Sequence, residues 1–485
     1  MELTFIGLIQ IVLGLGIVLV GRPSSAFLLL FFSCVFDGSA AILLPALGGS
    51  SIPPVQFALL FAFLRILVPR GGCLGHVPEA VQANKWLFLF AVYGAASAYL
   101  GPRLFGGSVL VFPMRPILTA GAFDVIPLAP TAQNITAGVY MVGSILLAIA
   151  AYSLCKSGVR TSVLVSAAIW AASLHILTGI LDLVGRGTPI DEFLNLFRNG
   201  DYVQTDHEIG NFVRIRGLLP EASSYAGLGF TFFVLNAELW YRGIRPRATG
   251  TVVSALALLL IFSTSSTAYV GLAAYALFFI ARSATLPKVA VPGKLHRLLL
   301  ISFMLLVVVA IMLAVIPNLP YAVWEMMLVM TVDKPASDSG MQRLFWAMQG
   351  WHGFLQSYGL GIGAGSFRSS SMIMAILGSM GLIGIVTFVL YALAVFQPRR
   401  RSTWGTSANP SHATGAAFAV AALISIVPAA IGGPQPAPPA TFSLFAAVAL
   451  ALRPAPARAR RKARGQADYP EQAAMPGIFV AKGQQ

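Results

Sequence analysis

GRGTPIDEFLNLFRNGDYVQTDHEIGNFVRIRGLLPEASSYAG, residues 185–227, is the most polar long segment ahead of the C-terminal tail. It carries Asp191, Glu192, Arg198, Asp201, Asp206, His207, Glu208, Arg214, Arg216 and Glu221. On either side lie Ser162–Val184 and Ser223–Tyr241, apolar runs of the length that crosses a bilayer as a helix. A charged loop slung between two such runs reads as a membrane protein whose helices present that loop at one surface.

Composition extends this reading to the whole chain. Of its 485 residues, 57% are hydrophobic and only 10% charged, where a soluble domain has about a quarter charged. Mean hydropathy is +0.79. Apolar runs recur at Thr4–Val20, Ser25–Leu47, Pro54–Leu67, Trp86–Leu100, Ile135–Leu154, Gly250–Phe262, Thr267–Ile280, Leu298–Ile316, Met372–Phe396, Thr414–Ile431 and Thr441–Leu452. The expected fold is an all-α polytopic membrane protein of about 12–13 transmembrane helices over residues 1–452. Residues 453–485, rich in Pro, Ala and Arg, read as a basic, disordered cytoplasmic tail lying against anionic lipid.

The formal charge of +15 invites a nucleic-acid reading, but topology accounts for it. Arg399–Arg401, Arg242/Arg245/Arg247, Arg282/Lys288/Lys294/Arg297 and Lys156/Arg160 all fall on the side of the tail when spans are counted back from it. That side holds 23 of the 32 Lys and Arg, which is the positive-inside pattern. No nucleic-acid partner is expected. The opposite side holds three long loops, 101–134, 185–220 and 317–371. The first has apolar patches suited to dipping into the membrane. No cytoplasmic stretch has room for a nucleotide-binding domain, and no GxxxxGK[ST] loop occurs. The three cysteines lie in or beside apolar runs, without disulfide or metal-ligand spacing.

Two clusters in the outer loops carry candidate chemistry. RIRGLLPEASSY, residues 214–225, sets Arg214 and Arg216 at alternate positions, so that an extended backbone points both the same way. Glu221, Ser223 and Ser224 follow in the first turn of a helix. Two guanidiniums at a helix start make an anion site; the plainer reading has them touching lipid headgroups and Glu221 capping the helix. The second cluster opens with Arg343 in the amphipathic stretch RLFWAMQGWHGFL, expected on the membrane surface, and runs through GLGIGAGSF to Arg368. The Ser/Thr run 263–267 reads as a hairpin turn on the same side. Within the spans, Arg65, Asp182 and Glu238 sit near helix ends, where they can snorkel, while Asp37 and His175 lie deeper. His207, His352 and the acids 191, 192, 206 and 208 lack HExxH or repeated DxD spacing, so no metal or cofactor is expected.

The order of these features resembles the bacterial O-antigen polymerase and O-antigen ligase family of lipid-linked glycan glycosyltransferases. RIRGLLPEASSYAG is similar to the end of the polymerase branch's large loop, and RLFWAMQGWHGFLQSYGLGIGAGSF to the family's second-loop region. The likeness covers roughly 161–396. Ahead of Gly381-Leu-Ile-Gly384, where the ligase branch carries a histidine, stand Ser370 and Ser371; this favours a polymerase of exopolysaccharide type.

The resemblance implies a GT-C-like fold in the inner membrane, working at the periplasmic face on an undecaprenyl-pyrophosphate-linked glycan without a metal. It implies Arg214, Arg216 and Arg343 at the donor pyrophosphate and Glu221 as base. Arg368, Ser224 and Tyr225 would help to bind substrate, and copolymerase and flippase would be partners. A ligase acting on a lipid or protein acceptor, a flippase or other transporter, and a non-catalytic scaffold remain open alternatives.

Overall fold

The computed structural model describes residues 1–45, 50–115, 123–200, 208–209, 212–286 and 338–453, with scattered positions between 293 and 321. The chain divides into Met1–Leu452 and the tail, Arg453–Gln485. The apolar run Leu298–Ile316, most of 317–337, the tail and Asp201, Asp206 and His207 lie largely or wholly outside the described residues.

The main unit is almost entirely helical. In chain order its helices are α1 (Phe5–Val20), α2 (Pro23–Ser33), α3 (Pro54–Leu67), α4 (Val77–Ala83), α5 (Lys85–Leu104), α6 (Ala132–Lys156), α7 (Thr161–Val184) and α8 (Pro189–Asn195). There follow α9 (Ala222–Tyr241), α10 (Pro246–Phe262), α11 (Ser266–Thr285), α12 (Asp338–Gln356), α13 (Met372–Phe396), α14 (Pro410–Ile424), α15 (Ile426–Gly432) and α16 (Ala440–Ala451). Among the described residues, six segments are long and apolar enough to cross a membrane: α5, α6, α7, α11, α13 and Pro410–Gly432, which spans α14 and α15. Five shorter apolar helical segments accompany them. The chain is therefore an all-α, multi-pass membrane protein.

The run Ser25–Leu47 is not one span, as the sequence suggested. α2 ends at Ser33, a 3-10 turn covers Cys34–Phe36, and Ile42–Leu44 is a strand between Glu2–Leu3 and Ser50–Ile52. Asp37-Gly38 ends the helix instead of interrupting it. Gly38 lies hard against Leu218, Leu219 and Pro220, where a Cβ would meet backbone at 2.6 Å.

α9 sits at the centre. It packs against α7, α10, α11, α14 and α15, and is buried almost all round. Helices rather than lipid surround it, so it tolerates polar groups that a lipid-facing helix could not. Glu238, expected to snorkel, is instead wholly buried, bonded to Arg282 at 2.9 Å, Arg242 at 3.1 Å and the Tyr275 hydroxyl at 2.9 Å. Arg65 is buried too, and donates to the carbonyls of Gly21 (2.9 Å) and Arg70 (2.7 Å).

Contacts between connections fall into two sets. Lys156 pairs with Glu79 at 3.1 Å, Arg242 donates to Thr403 O at 2.7 Å, and Thr161 meets Ser411 at 2.8 Å. These join the basic connections to one another. The long polar loops form the other set: the Ala40 N–H donates to Asn199 Oδ1 (2.7 Å), Asn134 to Ala364 O (2.8 Å), and the Phe112 N–H to Gln349 Oε1 (3.2 Å). The helices thus separate an arginine-rich end from an end made of the long loops.

Candidate functional site

The polar stretch 185–220 is moored by one carboxylate. Asp182, in the last turn of α7, is buried, and its Oδ1 accepts from Arg198 Nη2 at 2.5 Å. Its Oδ2 accepts the backbone N–H groups of Arg216 (2.8 Å) and Gly217 (3.3 Å). Arg198 also bonds Asp191 at 3.0 Å and the Gly217 carbonyl. Arg216 reaches Asp182 at 3.8 Å and Asp191 at 4.0 Å. Gly217 has φ +55°, and a Cβ there would strike the Tyr225 ring at 2.6 Å. This position requires glycine on both counts.

The mooring separates the two arginines that sequence alternation had paired. Arg216 turns to Asp182 and Asp191, while Arg214 lies in reach of Arg343 and Glu221. Strand pairing ends at Val213, so no sheet enforces alternation beyond it, and the buried carboxylate decides where Arg216 goes.

The second loop is built on a broken helix. α13 departs from helical geometry at Gly381 (φ +57°, ψ −148°). The glycine-rich turn fills the break. Gly359, Gly361, Gly363 and Gly365 all have positive φ, and the turn lies against α13 at Gly361, α5 at Gly363 and α6 at Gly365. Ile362 and Gly363 donate to the carbonyls of Gly378 (2.8 Å) and Ser379 (3.0 Å), and Leu382 donates to Gly359 O (2.9 Å). These bonds satisfy backbone that a kink in an apolar setting would leave unpaired. The stretch 343–355 is part of α12, which packs on α13 with Gly350 against Met374 and Gly378.

From this frame the arginines are aimed. The Arg368 N–H donates to Phe112 O at 2.9 Å, and its guanidinium lies 4.2 Å from the Trp346 ring centre. Trp346 is one helical turn from Arg343 on α12, and the Ser370 hydroxyl donates to the Arg343 carbonyl. Arg214 feels the charges of Arg343 and Glu221, and Arg368 that of Glu221. Burial first, then the neighbouring Arg343, lowers the pKa of Arg214, and Glu221 opposes this. Burial lowers that of Arg368, again opposed by Glu221. A guanidinium is not deprotonated in proteins, so these shifts disfavour the charge without removing it.

Glu221 is the N-cap residue of α9, yet its side chain makes no cap hydrogen bond. It accepts from the Ser223 hydroxyl at 2.8 Å instead. Thus Arg214 feels Arg343 and Glu221, and Arg368 feels Glu221, at the start of the central helix. Among the described residues none of the three has a carboxylate within 4.0 Å. The buried Nε of Arg214 and Nε1 of Trp346 have no hydrogen-bond partner among the described residues.

The other two candidates fall outside this group. Ser224 is exposed in the first turn of α9. Tyr225 is buried; its hydroxyl donates to His175 O at 3.0 Å and its ring stacks on His175 at 4.0 Å. It fastens α9 to α7. Among the described residues no three of His, Cys, Asp and Glu gather as metal ligands. Sequence reasoning missed Trp346 and Gln349, though their spacing from Arg343 on a helix was a usable signal. It also missed Asp182 and Arg198 as an anchor. Comparison with protein-family models, curated proteins and solved structures found no match to this chain.

Proposed function

We propose that this chain is a polysaccharide polymerase of the bacterial inner membrane. It would transfer a growing glycan from an undecaprenyl-pyrophosphate carrier to a lipid-linked repeat unit at the periplasmic face. The observation that supports the reading is a set of arginines with no carboxylate within 4.0 Å among the described residues: Arg214, which feels Arg343 and Glu221, and Arg368, which feels Glu221, at the end opposite the arginine-rich connections. Arginines without carboxylate partners suit an anion that is present only with substrate. The resemblance of residues 214–227 and 343–367 to the O-antigen polymerase branch supplies the substrate class.

The reaction follows from these groups. An acceptor sugar hydroxyl attacks the anomeric carbon of the donor, and the bond from that carbon to the pyrophosphate oxygen breaks. The pyrophosphate leaves with both bonding electrons, and Arg214, Arg343 and Arg368 stabilise its charge. Glu221, steadied by Ser223, takes the hydroxyl proton. Arg216, bound to Asp182 and Asp191, holds the loop.

The test is a null strain and its complementation, reading polymer and lipid-linked intermediates. A polymerase predicts single repeat units accumulating on the carrier at the outer face, with polymer lost. Intact polymer left on the carrier would mean a ligase, and units trapped at the cytoplasmic face a flippase. Arg214→Ala and Arg343→Ala proteins, inserted at parental levels, should not restore polymer; if both do, the chain acts as a scaffold or the site lies elsewhere.

A further inference from the structure

A groove of about 720 Å³ runs between α3, α5 and α6, away from the arginine cluster. Small residues make it deep: Gly138 of α6 faces Ala95 and Ala98 of α5, and Gly143 faces Gln56 of α3. Its outer wall is one stripe of α6, Ile135, Val139, Val142 and Leu146, which are 67%, 56%, 41% and 36% exposed. Spacings of four, three and four residues put them on one face. At 1.5 Å per residue the stripe is about 16 Å long, close to half of a hydrocarbon core of about 30 Å. The groove is therefore as deep as one leaflet.

One charge lines it. Arg103, in the last turn of α5, stacks over Tyr99 at 3.8 Å and donates to the Tyr99 carbonyl at 2.6 Å. Among the described residues no carboxylate lies within 4.0 Å of it. Arg103 and Ile135 both sit at the long-loop ends of their helices, so the cation stands at the level of lipid headgroups. An arginine on a tyrosine at that level is a typical interfacial anchor.

We propose that this groove binds an anionic phospholipid, with one acyl chain along the Ile135–Leu146 stripe and its phosphate on Arg103. The depth argues for a lipid of a single leaflet, and the lone unpaired cation for a negative headgroup. Asn134, on the groove's edge, also holds Ala364 O and Ser366 Oγ (3.0 Å), so an occupant braces the turn that leads to Arg368. The site stands independently of the reaction assigned to the arginine cluster.

The test uses delipidated full-length protein in detergent, with thermal unfolding and native mass spectrometry during titration. The probes are phosphatidylglycerol, phosphatidylcholine and a polyprenyl phosphate. Phosphatidylglycerol should bind saturably and raise the midpoint by several degrees, with phosphatidylcholine about tenfold weaker, because it keeps the phosphate but brings a choline cation that opposes Arg103. Arg103→Gln should erase that preference. Gly138→Leu should abolish saturable binding with the unliganded midpoint preserved, since a Cβ there meets only Ala98 and Ala95 at 3.7 and 3.9 Å. Equal effects of the two phospholipids, a preference that survives Arg103→Gln, or a response to polyprenyl phosphate alone would overturn the assignment.

Discussion

Replacing Asp182 by Ala tests whether one carboxylate holds the candidate loop in place. The parent side chain is 1% exposed, as is its partner Arg198. Ala removes the 2.5 Å ion pair and the acceptor for the Arg216 and Gly217 amides. It also raises the net charge of the cluster of Arg186, Arg198, Arg216, Asp182 and Asp191 by one. Breaking a buried pair from one side costs about 3–5 kcal/mol. Arg198 keeps Asp191 at 3.0 Å and the Gly217 carbonyl, so the lower end applies. At about 1.4 kcal/mol per decade, 3 kcal/mol is more than a hundredfold in the local opening equilibrium. Hydrogen exchange by mass spectrometry on full-length protein in detergent reads this at the Arg216 and Gly217 amides. Exchange there should quicken about a hundredfold in Asp182→Ala, and less in Asp182→Asn, which keeps an acceptor. Exchange within about threefold of the parent in both variants would refute the anchoring role.

Gly381→Ala should cost on the order of 3 kcal/mol, because its φ is +57° and a Cβ would sit 1.8 Å from Gly359 O; the yield of monodisperse protein checks it. Glu238→Ala strands two buried guanidiniums and should cost about 3–5 kcal/mol in thermal or denaturant unfolding. Arg343→Ala removes a like charge from beside Arg214, so stability should hold or rise by up to about 1 kcal/mol while polymer is lost. A fall of more than about 2 kcal/mol would instead give Arg343 a structural partner. At the arginine-rich end, burial raises the Glu79 pKa, but the Tyr152 hydroxyl and Lys156 outweigh it and hold the carboxyl below its usual range. A depressed carboxyl stabilises above its unfolded pKa and loses that as pH falls through the folded value. Glu79→Gln should therefore be less stable than the parent at pH 7, by no more than about 1 kcal/mol for so exposed a pair, and equal to it once the parent's Glu79 is protonated in both its folded and unfolded states.

Most of the helices were legible because lipid imposes one rule on every exposed span, and apolar length obeys it. What the rule does not cover was not legible. Ile42–Leu44 is as apolar as a span, and only its pairing with Glu2–Leu3 and Ser50–Ile52 shows it to be a strand. Glu238 near a helix end looks able to snorkel; its partner Arg282 stands 44 residues further on, and no local pattern connects them. The Arg343 and Arg368 clusters were visible as residues in loops. Their relation to Arg214 depends on how the turn 359–365 locks into the break at Gly381, and sequence shows these only as two unrelated sets of glycines.

The arginines of this chain divide by what compensates them. Arg198, Arg216, Arg242 and Arg282 lie against carboxylates, and Arg65 against carbonyls. Each such arrangement balances charge within the fold and serves to join elements, although Nε of Arg216, Arg242 and Arg282 and Nη2 of Arg282 have no hydrogen-bond partner among the described residues. Arg214 feels the like charge of Arg343, Arg214 and Arg368 both feel Glu221, and burial disfavours the charge of Arg214 and Arg368. A fold whose only task was cohesion would gain by replacing any of the three, since a partly buried cation without a partner costs free energy. Their cost is offset only when an anion enters, and three guanidiniums against one carboxylate leave two positive charges for it among the described residues. On the proposed reading a dianionic group such as a pyrophosphate ester would balance that excess, and its departure from a sugar would be the step these charges assist.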